Sequence, residues 1–248
     1  MSGFTRADVC CVAVAECFRG DGEIVANPIG TIPRIGGLLA RRSFEPDLVM
    51  TDGEAMFTDA DGAIEAWNPY RTMFDVVWSG RRHVMMGGSQ LDPMGNHNFA
   101  AIGDMKKPKA QLLGFRGAPG NTVNDATSYW IPAHGPRVFV PQVDVVTGVG
   151  YDRAAAAGAA ATRFHDVRRV VTNLAVLDFE AGLHTGDRRM RLRSVHPGVS
   201  VDDVLAATGF ELVVPDDVAV SRLPTEAERA LLERIDPAGE RYAEVPDA

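Results

Sequence analysis

From Thr5 to Arg19 the apolar residues Val9, Val12, Ala13 and Cys17 recur at helical spacing and Gly20 supplies a stop, so a helix is expected to open the chain. After it the pattern changes to short apolar runs. Residues 23–26 and 48–50 read as strands on either side of a helical stretch at 35–42, and residues 83–86 read as a further buried strand. Strands are also expected at 111–115, 137–140 and 143–146, and two more, joined by a turn at Asn173, between Arg168 and Phe179. Most of these runs are continuous rather than alternating, as for strands covered on both faces. Their alternation with helical stretches predicts an α/β protein with an open, largely parallel sheet flanked by helices. Near the end, Ser200-Val201-Asp202-Asp203 and Thr225-Glu226-Ala227-Glu228 have the form of capping boxes, with Gly209 and Pro237 as stops. An alanine-rich stretch at 153–161 reads as a short connection. The expectation is one domain over residues 1–248, with 240–248 as a polar tail.

Composition narrows the classes. With 248 residues, 46% hydrophobic and 23% charged, the chain has material for a sizeable core. A formal net charge of -8 argues against nucleic acid as a partner, and the doublets Arg41-Arg42, Arg81-Arg82, Lys106-Lys107 and Arg168-Arg169 are scattered rather than gathered into a patch. No apolar run approaches a membrane span and no signal-peptide pattern opens the chain, so neither a membrane nor a secreted protein is expected. The three cysteines, Cys10, Cys11 and Cys17, lie in the first helical stretch, with Cys10 and Cys17 on one face; they read as small buried hydrophobes in a reducing cytoplasm. The histidines lack metal-binding spacing, and neither a dinucleotide or phosphate-loop fingerprint nor a nucleophile elbow is present. No metal and no resident cofactor are expected.

Three loops gather the candidate chemistry. Thr51-Asp52-Gly53-Glu54 follows a strand, and its carboxylates are candidates for acid, base or nucleophile; a plain turn is the alternative. Gly87-Gly88-Ser89-Gln90, running on to Asn98, also follows a strand. Its glycines permit close backbone approach to a ligand, while Gln90, Asn96 and Asn98 serve either a ligand or the loop's own backbone. His97, inside this loop, is the one histidine suspected of meeting substrate, against a structural role. The third loop, Arg116-Gly117-Ala118-Pro119-Gly120-Asn121, combines small residues with an arginine suited to phosphate or carboxylate.

These loops, with Ile102-Gly103-Asp104, Val145-Val146-Thr147-Gly148-Val149-Gly150, His196-Pro197-Gly198 and Thr208-Gly209-Phe210, resemble in order the β subunit of class I CoA-transferases of the glutaconate type, from about Thr5 to Pro237. The resemblance implies a CoA-transferase-type fold, a partner α subunit of similar fold, and a CoA thioester bound between the two. It departs at one position: Thr51 stands where the family's catalytic glutamate is expected, and a threonine hydroxyl cannot form the acyl-anhydride and glutamyl-thioester intermediates of covalent transfer.

The segments Thr51-Asp52-Gly53-Glu54-Ala55, Ala126-Thr127-Ser128-Tyr129-Trp130 and Val143 to Asp152 are more similar to a branch of the family that hydrolyses a ring of a steroid-derived CoA thioester. That resemblance implies the β subunit of a heteromeric hydrolase, assembled as a heterotetramer and opening a cyclic dione CoA thioester by retro-Claisen cleavage, with CoA as part of the substrate and the principal acid/base carboxylate on the α subunit. Under it, Gly87, Gly88, Ser89 and Gln90 line the thioester region beside Gly117, Ala118, Gly120 and Asn121, and Glu54 and Asp52 orient water or the α-subunit catalytic group. A true CoA-transferase using Asp52 or Glu54, and a non-catalytic partner chain, remain the alternatives.

Overall fold

Thr5 nucleates the first helix, α1 (Arg6–Ala15): its hydroxyl accepts a bond from Asp8 N at 3.2 Å while Asp8 accepts one from Thr5 N at 2.9 Å. The computed structural model describes residues 3–53, 55–115, 117–179 and 188–246. After α1 come β1 (Val25–Pro28), α2 (Thr31–Ser43) and β2 (Val49–Thr51), then a hairpin of β3 (Met56–Thr58) and β4 (Ile64–Trp67), α3 (Tyr70–Val77) and β5 (Arg82–Met86). Two small hairpins follow, β6 (Gln90–Leu91) with β7 (His97–Asn98) and β8 (Ala101–Ile102) with β9 (Ala110–Gln111). They lead into α4 (Ala118–Asn124) and β10 (Ala126–Ile131). The remainder comprises α5 (Tyr151–Ala157), α6 (Ala159–Thr162), β11 (Asp166–Thr172), β12 (Ala175–Asp178), β13 (Arg191–Val195), α7 (Val201–Ala206), β14 (Ala219–Val220), α8 (Glu226–Ile235) and α9 (Glu240–Glu244).

Ten strands form one sheet in the order β14-β13-β12-β11-β10-β5-β1-β2-β3-β4. The centre, from β11 through β10, β5 and β1 to β2, is parallel; β12 and β13 on one flank and the β3–β4 hairpin on the other run antiparallel to their inner neighbours. Every residue of β5 and of β10 is buried, which explains why their apolar residues run consecutively, Val84 to Met86 and Tyr129 to Ile131, instead of alternating with polar ones. Successive side chains divide between two cores. Met85, Trp130 and Val171 pack with Cys10, Val14, Ile32, Leu39 and Leu232. Val84, Met86, Tyr129 and Ile131 pack with Leu91, Phe139, Leu177 and Leu192 on the other face. All three cysteines are free thiols buried in the first core, and burial pushes the Cys10 thiol up to about 12. Among the described residues no helix is long and apolar enough to cross a membrane.

Several expected elements differ. Residues 111–115 form no strand beyond Gln111, and residues 137–140 and 143–146 join no sheet: Pro136 and Pro141 bracket the first run, leaving Phe139 a single bridge to Leu91. The buried strand β10 replaces them at the centre. Its Thr127 and Ser128 obscure the pattern in the sequence, yet Ser128 Oγ lies 2.9 Å from His83 Nε2 on β5, so its polarity is satisfied across the sheet.

The expected polar tail is also corrected. Residues 240–244 form α9, whose Arg241 is fully buried against Asp8 (Nε to Oδ1, 2.8 Å), Asp236 (Nη1 to Oδ2, 3.0 Å) and Glu233. Val245 completes the first core. The polar residues near the C-terminus face partners supplied by α1 and α8, which the local sequence does not reveal.

Candidate functional site

The chain passes from β1 to β2 on one side of β1 and then to β5 and β10 on the other, so strand order reverses between β1 and β5. In an open α/β sheet the crevice beyond the carboxyl ends at such a switch point is where ligands bind. Three segments border it: residues 28–31 after β1, 51–53 at the end of β2, and 87–89 after β5. The second and third were expected from the sequence. The first was missed, although Gly30 stands after a strand as Gly87 does; its φ of +115° and its position before α2 mark a tight strand-to-helix turn.

Thr51 is buried, and its hydroxyl is fully engaged: it accepts from Asn27 Nδ2 at 2.9 Å and Gly53 N at 3.2 Å and lies 3.2 Å from the Ala26 carbonyl to which it donates. Gly53 has φ +96°, and a Cβ there would come within 2.7 Å of the Pro28 carbonyl oxygen and 3.2 Å of Ile29 Cα. Only glycine lets the β2 loop rest on the β1 loop. Asp52 is exposed and its carboxylate accepts from Met56 N at 3.1 Å, closing the turn into β3. Glu54 and Arg116 lie outside the described residues.

In the second loop, backbone and side chains have separate tasks. Gln90 is buried; its carbonyl accepts from Asn98 Nδ2 at 2.7 Å and Asp144 N at 2.9 Å, and its Nε2 donates to Asp144 at 3.0 Å. Asn96 binds Asp92, Asp152 and Gly150 N in the same way. These amides knit the loop to residues 144–152, and Gln90 is a structural residue rather than a ligand arm. Gly87 and Gly88 are half-buried. A Cβ on them would meet nothing nearer than 3.9 Å (Trp130 O) and 3.5 Å (Leu91 Cγ) respectively, so internal packing does not demand glycine at either position.

The third loop reaches the same strand. Asn121 is buried with its Nδ2 3.4 Å from Met86 Sδ, the residue before Gly87, and its Oδ1 accepts from Arg82. Its side chain therefore faces the sheet and holds α4 against β5. Gly117 and Ala118 lie at the start of that helix, half-buried, and a Cβ on Gly117 would touch nothing within 4 Å. Gly120 is a half-buried helical residue of α4.

His97 belongs to the core. Its Nδ1 lies 2.6 Å from the Tyr129 hydroxyl, the ring packs so closely on Gly148 that a Cβ there would come within 2.0 Å of Cε1, and burial pushes its pKa down to about 3. It is a neutral packing residue. At the opposite end of the sheet Arg82 and Asp125 form a buried pair (Nε to Oδ2, 3.3 Å); burial raises the Asp125 carboxyl to about 7 against the pull of Arg82. Among the described residues no His, Cys, Asp and Glu group is arranged to hold a metal.

A cavity of about 490 Å³ lies elsewhere, between α1, β13 and β14, with a neighbour of about 370 Å³ beside Tyr151. Most of their arginines are engaged by carboxylates, Arg19 with Glu16, Arg168 with Asp21 and Asp166, Arg191 and Arg193 with Asp178, and Arg222 with Glu16 and Glu228, while Arg169 binds the Glu16 carbonyl and Arg188 the Tyr151 hydroxyl. Pairing neutralises most of the cations in these hollows, and the switch-point crevice, bordered by glycine turns, is the candidate site.

Residues 72–207, more than half of the chain, match the Coenzyme A transferase family, to which this protein belongs. Within it, the chain is 49% identical to the cholesterol ring-cleaving hydrolase IpdB subunit of Rhodococcus jostii, over 97% of this chain and 96% of that protein. The crystal structure of Rhodococcus jostii RHA1 IpdAB superposes with a TM-score of 0.92 at 47% identity, covering 98% of this chain and 99% of that one. One of the subunits of glutaconate CoA-transferase from Acidaminococcus fermentans is 27% identical over 99% of this chain and 97% of its own length.

Proposed function

We propose that the chain is the β subunit of a heteromeric hydrolase that opens a ring of a cyclic dione CoA thioester in the late degradation of steroid rings such as those of cholesterol. The observation that carries this reading is Thr51. Where covalent transfer needs a glutamate, the chain places a hydroxyl held by Asn27, Gly53 and Ala26 inside the fold, so no side chain at that position is offered to an acyl group. Its similarity to the Rhodococcus jostii subunit points the same way. CoA then enters as part of the substrate, and the protein works in the cytoplasm with an α subunit, two of each forming a heterotetramer.

In this mechanism water adds to a ring carbonyl and the bond to the neighbouring carbon breaks to leave an enolate, whose charge is held by donors in the pocket. The principal acid/base carboxylate belongs to the α subunit. Backbone N–H groups of Gly87 and Gly88, with Gly117 and Ala118 nearby, form this chain's wall for the thioester, while Ser89, whose N–H donates to the Asn98 carbonyl at 3.2 Å, and the side chains of Gln90 and Asn121 hold that wall in place. Asp52, and Glu54 beside it, orient water or the α-subunit group.

The test is turnover of a cyclic dione CoA thioester by the co-expressed α and β chains in ¹⁸O-water, followed by mass spectrometry. Incorporation of one labelled oxygen with no acceptor acid is expected. A strict requirement for an acceptor carboxylate, with an enzyme thioester trapped by hydroxylamine, refutes the hydrolase and restores the transferase.

A further inference from the structure

The C-terminal helix reaches the crevice from behind. Glu244 on α9 has both carboxylate oxygens engaged: Oε1 accepts from Trp130 Nε1 at 2.7 Å and Oε2 from Ile32 N at 3.1 Å. Ile32 lies in the first turn of α2, whose capping position is Gly30, a residue with no side chain to offer; Glu244 supplies from a distant part of the sequence the acceptor that an N-cap residue ordinarily provides. The carboxylate also meets the positive end of the helix dipole.

The two groups it joins stand beside two of the three segments that border the crevice, the 28–31 turn and the Gly87 loop. Ile32 follows the 28–31 turn, on which Gly53 and the Thr51–Asp52 loop rest. Trp130 is a residue of β10, and its carbonyl faces Gly87. β5, whose glycine loop forms the other wall, lies between β1 and β10, so Trp130 supports that loop from the neighbouring strand. We infer that Glu244 is a positioning residue that clamps these two walls and so sets the width of the crevice in which the thioester is bound. It touches no substrate and acts through the backbone at residues 28–32 and 130. The inference rests on the proposed site for its catalytic consequence, while the clamp itself is a statement about the fold.

The experiment uses the assembled αβ complex with Glu244→Ala, Glu244→Gln and, as a control on the same helix, Glu240→Ala, whose exposed carboxylate pairs with Arg34 at the surface. Glu244→Ala is expected to lower kcat per assembled complex by about tenfold or more, as small misplacements of reacting groups do, with KM within about twofold. Glu244→Gln keeps one amide oxygen as acceptor and recovers part of the loss, and Glu240→Ala leaves kcat unchanged. Amide hydrogen exchange supplies a second readout: peptides covering residues 28–34 and 126–131 lose protection in Glu244→Ala. A variant whose melting temperature falls while kcat per complex and exchange at both walls stay at wild-type values overturns the clamp. If the wild-type complex does not hydrolyse the thioester, the proposed function fails, and the exchange data alone decide the clamp: protection lost at both walls supports it, and unchanged protection refutes it.

Discussion

Replacing Arg241 by leucine tests whether the C-terminal helix is integral to the fold. The guanidinium is fully buried and binds Asp8, which is 7% exposed at its side chain, Asp236, which is 2% exposed, and Glu233, which is 67% exposed. The Glu233 contact, being largely in water, contributes about 0–1 kcal/mol. The other two decide the magnitude: removing the cation leaves two buried carboxylates unpaired, and breaking a buried ion pair from one side costs about 3–5 kcal/mol. At roughly 2–4 °C per kcal/mol for a chain of this size, Arg241→Leu lowers the melting temperature by roughly 6–20 °C. Urea denaturation monitored by circular dichroism measures the free energy, and acidification supplies a sign. Burial works to raise the Asp236 carboxyl, but hydrogen bonds from Arg241 N and Glu240 N and the Arg241 guanidinium outweigh it and hold it below its ordinary value. A depressed carboxylate contributes stability that is whole above its unfolded pKa of about 3.9 and is lost as pH falls below it. The wild type therefore loses this contribution below about pH 4, while Arg241→Leu keeps the two backbone hydrogen bonds but lacks the guanidinium's share already at pH 7. A change of less than about 1 kcal/mol at pH 7 refutes the claim that α9 is held by buried charge.

Three further positions are tested by substitution, two at the site and one at the opposite end of the sheet. Thr51→Val keeps shape but leaves Asn27 Nδ2 and Gly53 N without their acceptor, costing about 1–3 kcal/mol by urea denaturation, whereas Thr51→Ser stays near wild type. Gly53→Ala meets both a left-handed φ and the Pro28 carbonyl; a loss of about 1–3 kcal/mol is expected, with reduced turnover per assembled complex, and wild-type values in both measurements contradict the close approach. Asp125, raised to about 7 by burial, holds a proton in the folded state that the unfolded chain releases near pH 3.9, so its contribution to stability declines as pH rises from about 4 to 7. Asp125→Asn removes that decline, and identical slopes of stability against pH in the two proteins count against the raised carboxyl.

The opening helix, the capping boxes at Ser200 and Thr225, the buried run of β5 and the turn at Asn173 between β11 and β12 were all legible in the sequence, because each is decided within a few residues by local hydrogen bonding or apolar pattern. So was the family, whose motifs stand in order along the chain, and so was the absence of a glutamate at Thr51. Tertiary structure decided what pattern leaves open. It drew β10, with Thr127 and Ser128, into the centre of the sheet, because polar groups are admitted to a core where another strand supplies partners. It separated Gly87, Gly88 and Gly117, where an added side chain would meet open space or ordinary contact, from Gln90 and Asn121, whose amides are consumed internally: a side chain's hydrogen-bonding capacity is visible in sequence, but the partner that takes it is not. It also carried the chain's last helix back to α1 and α2, pairing Arg241 with Asp8 and Glu244 with Ile32 across more than two hundred residues. Such contacts depend on where the chain returns, and only the folded protein specifies that.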